Sequence, residues 1–479
     1  MEPSQALVEG DLDRISGLSD DLLCSILTEL HSAAEAARTS VLSRRWRRVW
    51  TKIPDLIFLE DVSSPAAVDA ALAAHSAPTV GNFAVGLTDM SRPVDAARAA
   101  AWLRFAAARE ATEVHVVLPA RAPQPGEDDD DVEEELEVPL LESTAWLSAS
   151  FVYNFRLRLP PAGGAFAELR VLGITLGRVS GGDLSRVVSA QCPSLWVLEL
   201  AMLDVDGDLS IRSDTLDRLS LRVVGIGRRL DVAAPSLVWL LVHGCNHAEA
   251  RIAAPVLTEV NWDDAYDPAR HHFTETGRRL HRLAVRQWTP TPPLLERFDA
   301  ADKLSLYLVI PQFPQQYTIF SENTSKLPQC KDLTVGLKIT WHALVSCLLH
   351  LLRKCDGISK LEIELIHVNK PPLPLCKILG CPCVQPESLR TDNVTVDSLE
   401  EVEIHFFTGS DEEVDLVKML FMCKNTLQKM VINVSDDICV SKETCEKIQS
   451  FSPPNTTLEI GGSSSRKRDT CCCKDHDWY

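Results

Sequence analysis

Apolar positions recur along this chain with two different periods. Near the N-terminus Leu18, Leu22, Leu23, Ile26, Leu27 and Leu30 fall at the three- and four-residue spacing of an amphipathic helix. Ser19 can cap its first turn, Asp20 and Asp21 favour the positive end of the helix dipole, and Leu18 and Leu23 occupy hydrophobic-staple positions. Ser32 and Glu35 have capping-box spacing, which predicts a second helix that breaks near Thr39 or Ser40. A third helix is expected through the tryptophans, ending before Pro54. On it Leu42, Trp46, Val49 and Ile53 form one apolar stripe, with Trp50 beside them, while Arg44, Arg45, Arg47 and Arg48 fall on the other side. A nucleic-acid reader would put aromatics and arginines on one accessible face. Here they are segregated. So small a module buries its own apolar surface poorly, so the leftover stripe suggests docking to another protein. The competing reading packs the stripe wholly inside this chain.

Beyond about residue 60 the period changes. "LWVLEL" (195–200), "LDRLSL" (216–221), "LVWLLV" (237–242) and "LTEVNW" (257–262) share the form L-x-x-L/V-x-apolar, with starts 21, 21 and 20 residues apart. "LRVLGI" (169–174) precedes them, and "LHRLAV" (280–285) and "ADKLSL" (301–306) follow. This spacing is that of a leucine-rich repeat. The fourth and sixth positions of each unit should point into a stacked core and the third and fifth onto an outer sheet face. That face would carry Arg218, Trp239, Leu241, Glu259 and Arg282, with Trp239 as a candidate anchor for a protein target. A covering loop over Trp239 is the alternative.

The units loosen toward the C-terminus. "CKDLTV" (330–335), "ISKLEI" (358–363), "LEEVEI" (399–404) and "LQKMVI" (427–432) keep the alternation at wider spacing. Between the last two, Val414, Val417, Leu420 and Phe421 predict a helix, making a strand–helix–strand unit.

Composition narrows the function. The net charge is −19, which argues against a global grip on nucleic acid or anionic lipid. Nine carboxylates fall in "EDDDDVEEELE" (127–137), and the stretch 122–138 is expected to be a solvated, disordered insert. The start is acidic and polar, no apolar run approaches bilayer length, and the 15 cysteines form no regular framework. The expectation is a soluble chain with reduced thiols, cytoplasmic and/or nuclear, whose sequons at Asn323, Asn393, Asn433 and Asn455 are idle. Cys376, Cys381 and Cys383, and the tail group Cys471, Cys472, Cys473 and His476, are badly spaced for zinc. No metal, no cofactor and no membrane partner is expected. No H-E-x-x-H, G-x-S-x-G or Walker loop occurs, so no catalytic residue is proposed.

"ISGLSDDLLCSILTELHSAAEAARTSVLSRRWRRVW" (15–50) resembles the F-box, especially its plant form, with Ser19 where that family usually has proline. The repeats resemble the irregular leucine-rich repeats that often follow it, and "SLEEVEIHFFTGSDEEVDLVKMLFMCKNTLQKMVI" (398–432) resembles the FBD module. The resemblance implies an α+β multi-domain chain: a three-helix F-box, then an irregular α/β solenoid (horseshoe) ending in an FBD-like part. The boundaries are a disordered start (1–10), an F-box (11–58), a repeat solenoid (59–370), an FBD-like module (371–460) and a disordered Cys-rich tail (461–479). The resemblance also implies a non-catalytic substrate receptor of an SCF-type cullin–RING ubiquitin ligase. Leu18, Leu22, Leu23, Ile26, Leu27, Leu30, Val41, Leu42, Trp46 and Trp50 would bind or support binding of the Skp-type adaptor. The alternative is a scaffold that binds the adaptor without promoting ubiquitin transfer.

Overall fold

A computed structural model describes residues 15, 17–58, 64–87, 89, 91–119, 134–152, 155–245, 249–286, 292–309, 314–339, 344–355, 357–367, 395–435 and 440–462. The chain divides into two units, one comprising residues 1–237 and 245–254, the other 238–244 and 255–479.

The first unit opens with α1 (Asp20–Thr28) and α2 (Ala33–Arg38). Ser19 caps α1, accepting from Leu22 N, and Ser32 caps α2, accepting from Glu35 N, as the sequence predicts. The return half of the expected capping box is replaced, because Glu35 pairs with Arg38 at 2.6 Å. The expected continuous third helix is broken. A 3-10 turn (Thr39–Val41) is followed by a bend, then the four-residue α3 (Trp46–Val49) and a second 3-10 turn (Trp50–Lys52). The cause is Ser43, whose hydroxyl accepts from Arg45 N at 3.2 Å and Trp46 N at 3.4 Å and so starts a new helix.

The rest of this unit is built on parallel strands. They are β1 (Leu56–Phe58), β2 (Asn82–Gly86), β3 (Glu113–Pro119), β4 (Glu134–Glu137), β5 (Trp146–Val152), β6 (Phe155–Arg158), β7 (Val171–Ser180), β8 (Val197–Asp206), β9 (Leu209–Arg212), β10 (Arg218–Arg222), β11 (Gly225–Ile226), β12 (Arg229–Ala233) and β14 (Glu249–Ala253). The main ladder runs β1-β2-β3-β5-β7-β8-β10. A shorter sheet runs β9-β12-β14 and buries Leu209, Ile211, Leu230, Val232 and Ile252. Helices α4 (Pro65–Ala74) and α5 (Ala96–Ala108) fill the long crossovers near its start. The acidic run is only partly an insert: its last four residues form β4, which pairs with β6, and Glu134 Oε2 accepts from Ala96 N at 2.6 Å at the start of α5. The remainder of that run lies outside the described residues.

The second unit carries β13 (Trp239–His243), β15 (Glu259–Trp262), β16 (His271–Thr274), β17 (Arg279–Arg286), β18 (Ala300–Val309), β19 (Asp332–Ile339), β20 (Lys360–His367), β21 (Thr395–Val396), β22 (Glu401–Phe407), β23 (Lys424–Asn425), β24 (Lys429–Val434) and β25 (Thr457–Gly462). Its ladder runs β13-β15-β17-β18-β19-β20-β22-β24-β25, again all parallel. Helix Asp411–Met422 joins β22 to β24 and buries Val414, Val417 and Leu420 of the expected stripe, with Leu416 and Met419 beside them, while Phe421 is only half-buried. The repeat region of both units is therefore an α/β arrangement.

The strand register reproduces the sequence period: Val197 faces Arg218, Trp239 faces Glu259, and Glu259 faces Arg282. Fourth-position Leu198, Leu219, Leu240, Val260, Leu283 and Leu304 are all fully buried, as are sixth-position Leu200, Leu221, Val242, Trp262, Val285 and Leu306. Each such side chain contributes about 1.5–3 kcal/mol when removed from water. Four earlier units use the same grid with other residues, all apolar except Thr144. They centre on Ile53-Leu56-Phe58, Val80-Phe83-Val85, Ala111-Val114-Val116 and Thr144-Leu147-Ala149, every member buried. Among the described residues, no helix is long and apolar enough to cross a membrane.

Candidate protein-interaction faces

The N-terminal helices divide their apolar residues between two directions. Leu23 and Leu27 point inward and are 1% and 2% exposed. Val49 and Ile53 are buried as well. Leu22, Ile26 and Leu30, four residues apart, point outward and are 53%, 48% and 45% exposed. The 3-10 turn and bend after α2 add Val41 and Leu42, 83% and 64% exposed. Leu18, Trp46 and Trp50 are half-buried. The ten candidates thus separate into a core pair, a half-buried brace and five outward residues. The stripe expected on one third helix is divided too, because the bend at Ser43 sends Leu42 outward while Val49 and Ile53 turn in.

Arg44, Arg47 and Arg48 are exposed, as expected. Arg45 departs from that pattern. Its Nε donates to Asp20 Oδ1 at 2.8 Å and its Nη2 donates to the Leu18 carbonyl, tying α3 to the start of α1. The guanidinium holds the Asp20 carboxyl below its usual pKa.

The sheet face of the first unit carries several small, uncharged residues, with exposed Glu113 beside Trp146 and exposed Glu199 beside Gly173. Ala84, Ser148, Gly173, Ser150, Thr175 and Ala201 sit at outward register positions. Trp146 stands among them, 45% exposed, with the His115 ring 5.7 Å from its own. Of the sequence-predicted target residues only Arg218 lies in this unit, exposed on β10.

The second unit carries the other four. Arg282 is exposed, while Trp239, Leu241 and Glu259 are half-buried. Trp239 is therefore less available than Trp146. A denser polar cluster lies at the seventh position of the units, just past the third and fifth positions that the repeat pattern marks as outward. His243 Nδ1 lies 3.0 Å from Asp263 Oδ2, and this carboxylate raises the His243 pKa. Asp263 also accepts from Arg286 N at 2.7 Å. The Arg286 guanidinium stacks 4.6 Å from the centre of the Tyr307 ring. Tyr307 lies flat across Gly336 on the next strand, where a Cβ would collide with its ring, and hydrogen-bonds Glu364 beyond it.

Burial, then the charge of Glu362, pushes the Glu364 pKa up. Glu362 in turn lies 3.0 Å from His405 Nε2, and His405 is raised chiefly by that contact. Asn433 Nδ2 donates to Glu403 Oε1 at 3.1 Å and lies 3.3 Å from His405 Nδ1. Lys360 reaches Glu401 at 3.4 Å and Glu403 at 3.8 Å. Every one of these groups is held by a neighbour, so the face is polar and pre-organised.

Among the described residues no group of three His, Cys, Asp or Glu side chains is arranged to hold a metal ion. Cys376, Cys381, Cys383 and the tail cysteines lie outside the described residues, and the eight described cysteines are free thiols.

Comparison with known proteins gives one family match, the "FBD-associated F-box protein At5g56370, LRR repeats", over residues 99–260. Among Arabidopsis thaliana proteins, F-box protein At5g03100 is 26% identical over 53% of this chain and 76% of its own length. At5g02930, whose name couples an F-box with a leucine-rich repeat, is 21% identical over 92% of this chain and 91% of its own. F-box/FBD/LRR-repeat protein At3g52680 is 26% identical over 67% and 70%. None of these names states a catalytic activity. The chain resembles the plant F-box/leucine-rich-repeat proteins, including those that carry an FBD module.

Proposed function

We propose, from that resemblance, that the chain is a non-catalytic substrate receptor of an SCF-type ubiquitin ligase. Its helical N-terminus acts as a three-helix F-box that docks a Skp-type adaptor, and its repeats recruit a protein target. The observation that carries the reading is the exposure of Leu22, Ile26, Leu30, Val41 and Leu42. Five large apolar side chains exposed on so short a segment call for a cover. The chain would then contribute proximity, raising the effective concentration of target lysines at the ligase.

The test is co-purification of the full chain with a Skp-type adaptor. Leu22→Glu with Ile26→Glu should abolish it and leave the chain folded, because both residues are exposed. Leu23 is unsuitable for this purpose, since a charge there would be buried in the core. Undiminished capture of the double variant sinks the assignment. Reconstituted ubiquitination of a bound target separates a working ligase receptor from a scaffold that only binds the adaptor.

A further inference from the structure

The exposed apolar side chains of the helical module come from two separate stretches of chain. Leu22 and Ile26 ride on α1 and Leu30 just past its end, while Val41 closes the 3-10 turn after α2 and Leu42 opens the bend that follows. Buried Leu23, Leu27 and Val49 hold these parts together, but apolar burial is non-directional. It does not by itself set how α1 is rotated relative to the bend. Directional bonds do. Between the two stretches, Arg45 donates from Nε to the Asp20 carboxylate at 2.8 Å and from Nη2 to the Leu18 carbonyl. Its chain position is fixed in turn by the Ser43 hydroxyl, which receives the Arg45 amide immediately after Leu42. The nearby Arg47 makes only a local bond, to the Ser40 carbonyl at 3.3 Å.

We propose that Arg45 is a positioning residue for adaptor docking: its planar fork locks the N-terminal end of α1 to the Leu42–Ser43 bend, so the five outward side chains form one face before a partner arrives. The proposal rests on the F-box reading above. Lysine carries the charge but lacks the fork that meets two acceptors at once. A half-exposed ion pair adds little stability, so the effect falls on docking geometry rather than on folding.

The experiment measures the affinity of the full chain for a purified Skp-type adaptor, alongside its melting temperature. Arg45→Ala is expected to weaken binding about 5–10-fold through lost pre-organisation, with melting nearly unchanged, and Arg45→Lys to recover part of the loss. Asp20→Ala should also weaken binding, and the double variant Asp20→Ala/Arg45→Ala should be no weaker than about the worse single one, because both act through one contact. Wild-type affinity in Arg45→Ala overturns the proposal. So do fully additive losses, which would mean that Arg45 touches the adaptor itself. Leu22→Glu keeps the two readings apart. If it abolishes binding while Arg45→Ala does not weaken it, only the positioning role fails. If Leu22→Glu binds like wild type, the F-box reading fails.

Discussion

Each of the two units builds a parallel ladder of the same kind, yet their outward residues differ. In the first, Ala84, Ser148, Gly173 and Ala201 lie on the sheet face with an exposed Trp146, and charge enters at scattered positions such as Glu113 and Glu199. In the second, Arg286, Tyr307, Glu362, Glu364, His405 and Asn433 lock into one another across neighbouring strands. The inward rows scarcely differ between them, leucine, isoleucine or valine at almost every fourth and sixth position. Parallel stacking thus constrains one side of each strand and leaves the other free to vary.

The sharpest way to break that comparison is to truncate matched core residues. Leu198→Ala in the first unit and Leu361→Ala in the second should each cost about 2–5 kcal/mol, read as faster amide hydrogen exchange in the strand concerned. Clearly unequal losses would show that the inward rows are not interchangeable.

A smaller effect separates the outer faces. Gly336→Ala drives a methyl into the Tyr307 ring, whereas a Cβ at Gly173 meets nothing closer than Ser148 Oγ at 3.6 Å. The first should cost about 1–3 kcal/mol by overpacking. The second should be within about 1 kcal/mol of neutral. Urea unfolding of the two variants checks this, and equal costs would mean that Tyr307 does not lie where the structure puts it.

The mildest contrast is with pH. Contact with Glu362 and the nearby Glu403 raises the His405 pKa above 6.5. The contribution is therefore full below about pH 6.5 and is lost as pH rises through the folded-state value. A His405→Gln variant should lose less stability than wild type between pH 6 and 9. An unchanged pH profile in that variant would place the sensitivity elsewhere.

These contrasts also show what could be read from the sequence. The repeat spacing from 195 to 306 gave the strand register residue by residue, because leucine at fixed intervals is a direct image of the core. The units centred on Phe83, Val114 and Leu147 carry no leucine signal, since they use Val, Ala or Thr at the first position and the crossovers leading into the first two hold α4 and α5. Their shared signal is an apolar residue or threonine at the first position, with apolar residues at the fourth and sixth. Ser19 and Ser32 were legible as caps, but the break at Ser43 was not, as a serine inside an apolar helical stripe carries little signal against periodicity. The Arg286–Tyr307–Glu364 arrangement depends on a ring crossing a glycine strand. No linear pattern encodes that.

Ile53 is both the last apolar residue of the helical module and the first core position of the first repeat. Its carbonyl lies 3.1 Å from the Nε2 of buried His75, and the adjoining Thr51 carbonyl receives Ser76 N at 2.8 Å. The module and the repeat therefore meet without a spacer to act as a pivot. On the receptor reading, this joint is a fixed bracket. A target held on the first unit would be offered at one bearing, and the lysines within reach would be set by where they lie on its surface rather than by how far a tether can swing.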